Sequence, residues 1–175
     1  MKTTFLHGAG IAISNALVTL GFFFTGVHSS ADRLAANQWL GTLLILGVCG
    51  TGLTLAVRER RAGLEPEKEW GFAPAFGTGV LTGLFASLLG ILPNYVYFAV
   101  INPGFSDVLG AMQRSALEAK GLSEVEIERM MSMMEKFTGP AVLTASGAFM
   151  GFVWASLVAL GVGFFLRAKP AAAGS

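Results

Sequence analysis

The sequence predicts an all-α membrane protein: four transmembrane helices, with an extramembrane amphipathic helical hairpin between spans three and four. Three observations predict it. The 175-residue chain is 53% hydrophobic and only 13% charged, with a mean hydropathy of +0.63, whereas a soluble domain carries about 25% charged residues. Its charges fall at the ends of four long apolar runs. The stretch between the third and fourth runs has helical apolar periodicity and a helix-start signature. A net charge of +1 is too balanced for a nucleic-acid partner. The single Cys49 excludes an internal disulfide and a multi-cysteine metal site. Residues 1–175 are read as a single four-helix transmembrane domain.

Residues 5–27 contain no Asp, Glu, Lys or Arg. As a helix they rise about 34 Å, enough for a hydrocarbon core of about 30 Å. A cleaved leader ending near His28-Ser29-Ser30-Ala31 is the alternative, but leader cores run only about 7–15 apolar residues. The second span, 39–57, covers about 28 Å. The uncharged run 70–106 is too long for one straight span. Its span is placed at 73–101, with Pro93 expected to kink it and Asn102-Pro103-Gly104 to end it. The fourth span, 138–166, carries Gly139-Pro140 at its start, where proline is tolerated.

Four spans place both termini on one side. Lys2, then Arg58, Arg60, Arg61 and Lys68, then Arg167 and Lys169 share that side. Arg33, Arg114, Lys120, Arg129 and Lys136 fall on the other, three of them well inside a long loop where charge orients little. Both termini are therefore expected in the cytoplasm.

The hairpin, about 105–137, opens with Phe105, Val108, Leu109, Met112 and Ala116 on one helix face. Gly121 suits the residue just beyond that helix. Ser123 and Glu126 then form a capping-box signature, with Leu122 and Ile127 at hydrophobic-staple positions. Ile127, Met130, Met131, Met134 and Phe137 make a second apolar stripe. Six acids (Asp107, Glu118, Glu124, Glu126, Glu128, Glu135) face four bases, and membrane-surface helices usually favour bases, so the composition leans toward protein contact. Phe105, Met112, Ile127, Met130, Met131 and Met134 are the expected docking residues. Thioethers also suit Cu(I), but helical spacing already accounts for the methionines, so no metal is assigned.

Within the expected spans no ionisable Asp, Glu, Lys or Arg is present, which counts against proton relays, ion-coupled transport and voltage sensing. His7 and His28 lie at opposite ends of one span and are assigned no joint role. Asn15 sits near mid-span as helix-packing glue. In span four Gly147, Gly151, Ala155, Ala159 and Gly163 repeat every four residues; Gly79 and Gly83 do so in span three. Such ridges let backbones approach, either within the chain or between subunits. The candidate ligand pocket is Pro93, Asn94, Tyr95 and Tyr97, with an interfacial tyrosine belt as the alternative.

Several stretches resemble the bacterial domain-of-unknown-function family 4199. They are Trp39-Leu40-Gly41, Phe76-Gly77, Tyr95-Val96-Tyr97-Phe98 through Ile101-Asn102-Pro103-Gly104-Phe105, and Gly121-Leu122-Ser123-Glu124 with Ile127-Glu128 and the methionines after them. The resemblance covers nearly the whole chain. It implies a small, multi-pass bacterial inner-membrane protein and carries no activity or catalytic residues with it. No clustered His, Cys or carboxylate set suggests an enzyme, and no catalytic residue, cofactor or metal is assigned. The function expected is a non-enzymatic accessory or scaffold subunit, in contact with membrane lipids and forming a homo-oligomer or part of a membrane complex. The alternative is a carrier or binder of a lipid or apolar small molecule.

Overall fold

Helix α1 (Lys2–Phe24) stops where Gly26 takes a left-handed backbone, φ 76°, a conformation that costs a residue with a Cβ. One 3-10 turn (Val27–Ser29) reverses the chain into α2 (Ala31–Ala62). In this computed structural model, which describes residues 1–64 and 70–167, α3 (Phe72–Val96) passes into a π-helical turn (Tyr97–Ile101). Two shorter helices follow, α4 (Phe105–Glu118) and α5 (Glu124–Glu135), and then α6 (Pro140–Leu166). Lys68 and Lys169 of the predicted basic side lie outside the described residues.

The described residues are all helix, turn and loop, without a strand. Four helical segments are long and apolar enough to cross a membrane: Lys2–Phe24, Ala31–Ala62, Phe72–Ile101 and Pro140–Leu166. The protein is a multi-pass membrane protein. Its second helix starts eight residues before the expected span and runs five beyond it. Bilayer thickness sets where a span ends, not where a helix does. Nothing in 31–38 breaks a helix, and Asp32 sits in the first turn, where the helix dipole favours an acid. Pro93 lies inside α3 without ending it, and the widened turn follows four residues later.

The chain groups into two compact units. One comprises Met1–Asn15, Ile45–Gly90 and the chain from Phe149 onward. Its core joins Ile11 of α1, Cys49 and Leu53 of α2, and Ala155 and Ala159 of α6, with Val57, Trp70 and Ala75 as a second cluster. Small residues set the spacing here. A Cβ added at Gly79 would stand 2.7 Å from Ala159 Cβ, and one at Gly83 2.6 Å from Ala155 Cβ. Gly8 similarly admits Phe85, and Gly52 admits Ile11. Buried hydroxyls bond within their own helices, as Thr82 does to the Thr78 carbonyl (2.8 Å), so none needs water.

The other unit comprises Ala16–Leu44 and Ile91–Ala148. It holds the turn at Val27–Ser29, the π turn, and α4 with α5. Large apolar side chains such as Leu17, Leu43, Leu92, Phe149 and Phe165 are exposed along the four long helices. Lipid, not water, is the solvent in which that surface is stable.

Candidate functional site

The π turn begins four residues after Pro93. The ring of Pro93 has no N–H for the carbonyl one turn back, and downstream the helical register widens until the Asn102 N–H donates to the Tyr97 carbonyl five residues earlier (2.8 Å). That extra residue per turn brings the two side chains of the pair together as well. Asn102 Nδ2 donates to the Tyr97 hydroxyl at 2.9 Å. On its other side this hydroxyl meets His28 Nδ1 at 2.5 Å. When the imidazole is neutral with its proton on Nε2, the Tyr97 hydroxyl donates to His28 Nδ1. Burial pushes the His28 pKa below its ordinary value, toward that neutral form.

Rings enclose this polar chain. His28 packs 5.0 Å from Phe105 and 5.7 Å from Phe22, and Tyr97 packs 5.3 Å from Phe98 and 6.1 Å from Phe23. Tyr97 is 2% exposed. The cluster ties three separate pieces of chain together: the turn after α1, the end of the third span, and the start of α4. Its chemistry is that of a satisfied, neutral hydrogen-bond chain, which fixes geometry and responds to protonation of one imidazole.

A second bond fixes the other end of the α4–α5 segment, where the Ser106 hydroxyl donates to the Thr138 carbonyl at 2.7 Å. Between these points Gly110 faces Met131, whose methyl lies 3.7 Å from where a Cβ would sit. Leu117 and Ile127 are buried. Arg114 donates to Glu118 (3.0 Å) and to Glu124, which ties α4 to the first turn of α5. The capping box at Ser123 is formed: the Ser123 N–H and hydroxyl both donate to Glu126 Oε2, at 2.9 and 2.6 Å, and hold that carboxyl below its usual pKa.

Among the predicted pocket residues, Tyr97 alone enters the cluster. Pro93 and Asn94 are half-buried, and Tyr95, two residues and roughly 200° around the helix from Tyr97, is exposed. Among the docking residues, Phe105 packs on His28, Ile127 is buried, Met131 lies against Gly110 of α4, Met112 and Met134 are half-buried, and Met130 is partly exposed. Of the packing ridge, Ala155 and Ala159 meet Gly83 and Gly79, Gly163 meets Phe76, and Gly151 touches Ser87. Gly147 faces open space, and Asn15 is half-buried in α1. His28 and Asn102 carry the cluster, yet the sequence marked the first only as a span-end residue and the second only as a helix stop. The available signal was the pile-up of Phe22, Phe23, His28, Phe98 and Phe105 at the ends of spans.

A family model described as "Protein of unknown function (DUF4199)" matches residues 6–168, nearly the whole chain. The chain belongs to that family. No curated protein and no solved structure matches it. The matched residues take in the four apolar helices almost entirely, and the ring cluster and the α4–α5 segment both lie within them.

Proposed function

We propose that this member of the family is a non-enzymatic accessory or scaffold subunit of a bacterial inner membrane, with both termini in the cytoplasm and α4–α5 forming an amphipathic hairpin outside the bilayer. The observation that carries the reading is the pinning of that hairpin at both ends, by the His28–Tyr97–Asn102 chain and by Ser106 on Thr138. A segment held this way is a fixed platform. With Ile127 buried and Met131 half-buried, a protein partner is offered the acidic face of α5 through Glu128 and Glu135, while Glu124 is held by Arg114. The binder of a lipid or apolar molecule is the weaker reading, since the Tyr97 hydroxyl is already engaged on both sides.

Native mass spectrometry of the protein, extracted gently from its own membrane, tests this. A defined extra protein mass or a clean multiple of 18.3 kDa supports a subunit, and the assembly should weaken with Glu128→Lys and Glu135→Lys together. A monomer with a stoichiometric small mass supports the binder instead. A bare monomer counts against both.

A further inference from the structure

Three apolar side chains near the end of α5 are exposed among the described residues. Met130 is 39% exposed, Met133 58% and Phe137 66%. At 100° per residue they fall within about 60° of one another, on a face that adjoins the buried Ile127 and opens away from it toward Met133. Arg129 and Lys136 flank that face on one side, and neither side chain enters an ion pair or hydrogen bond with another described residue. Glu124, Glu128 and Glu135 lie about 170° away around the helix. Glu126 shares the apolar azimuth, but its carboxylate is folded back onto Ser123 at the far end of the helix. The acid excess counted along the whole segment is therefore absent from this face.

Chain continuity says what lies next to it. Phe137 is three residues before Pro140, so their Cα atoms are at most about 11 Å apart. Lys136 is the last charge before an uncharged run that ends at Leu166, inside the fourth membrane-crossing helix. The last turns of α5 are thus held at the depth where that helix leaves the hydrocarbon. Methionine and phenylalanine facing the acyl boundary, with flanking Arg and Lys extending toward phosphates, is how an interfacial helix is seated.

We infer that the C-terminal half of α5 lies in the headgroup layer of the membrane the protein spans, seated on Met130, Met133 and Phe137, with Arg129 and Lys136 contacting phospholipid phosphates. This leaves the acidic face toward water and holds whether or not a protein partner exists.

The test uses the full chain reconstituted alone into phosphatidylcholine–phosphatidylglycerol vesicles. Met133→Cys and Glu128→Cys are each labelled with an environment-sensitive fluorophore and quenched by phospholipids brominated near the headgroup end of the acyl chain. Both sites are surface positions, and far-UV circular dichroism checks that each variant keeps its helices. The label at 133 should be blue-shifted and quenched at least about twofold more than the label at 128. Equal, weak quenching at both positions overturns the proposal, because α5 then stands clear of the bilayer. A blue shift at 133 without lipid quenching overturns it too, because the cover would then be a second copy of the chain.

Discussion

The Tyr97 hydroxyl is hydrogen-bonded to both Asn102 and His28 inside a shell of rings, so its removal strands two polar groups at once. In Tyr97→Phe the His28 Nδ1 and the Asn102 amide lose their partner. Leaving a buried polar group unsatisfied costs about 1–3 kcal/mol. In a chain of this size each kcal/mol is worth about 2–4 °C of melting temperature, so thermal unfolding in detergent should show a fall of several degrees. An unchanged melting temperature would mean the hydroxyl contributes nothing to stability. The same atoms fix a pH response. Burial holds the folded His28 pKa below its ordinary 6.5, so the unfolded chain takes up the proton first. The stability from the neutral imidazole is complete above about pH 6.5, is lost as pH falls from there toward the folded value, and changes no further below it. Wild-type protein should therefore melt lower at pH 5.5 than at pH 7.5. His28→Gln should flatten that difference, and equal slopes in the two proteins would assign the effect to other groups.

At the scale of elements, close approach by small residues decides which helix faces meet. Gly83 and Gly147 have the same side chain and opposite surroundings: a Cβ at the first would stand 2.6 Å from Ala155 Cβ, and a Cβ at the second meets nothing within 4 Å. Overpacking costs about 1–3 kcal/mol, so Gly83→Ala should lower the melting temperature. Gly147→Ala should leave it unchanged or raise it, since alanine favours a helix by up to about 1 kcal/mol over glycine. Equal effects would mean that the α3–α6 contact does not govern stability. The contrast also marks how far the sequence could be read. Helix ends were legible because their causes are local: Gly121 with φ 74°, the Ser123–Glu126 box, and Pro140 opening α6. The direction of each span's packing face was not, because a lipid-facing side is as apolar as a buried one, and Gly147 and Gly151 look alike on the ridge. The candidate site was half legible. Tyr97 stood out as an aromatic after a proline, but His28, 69 residues away, is brought to it by tertiary packing that no periodicity encodes.

For the whole molecule, the arrangement of charge along the chain predicts its orientation. Arg58, Arg60 and Arg61 at the end of α2 and Arg167 just after α6 cluster at span ends, against Arg33 and Lys136 near span ends on the other side. With four crossings the first four share a side with Lys2, and α4–α5 takes the opposite side together with His28. Glu59 stands among the arginines, but its carboxylate is bonded to His7 (2.7 Å) and Thr3 (3.3 Å), and acids weigh little in orientation. Arg114 on the other side is tied to Glu118 and Glu124 and lies inside a long loop, where positive charge hardly hinders translocation. Moving Arg58, Arg60, Arg61 and Arg167 outward would place four flanking bases on the wrong side, whereas α4–α5 carries six acids against four bases, most of them away from a span end. A cysteine at the exposed Ser115 of α4 should thus react with a membrane-impermeant maleimide in intact cells. A cysteine replacing Arg167 should react only after lysis, and the native Cys49, buried in the bundle, should react in neither state. The reverse pattern at 115 and 167 would put the termini outside and α4–α5 in the cytoplasm. The headgroup contact of α5 would survive that reversal, but a partner for its acidic face would then have to be cytoplasmic.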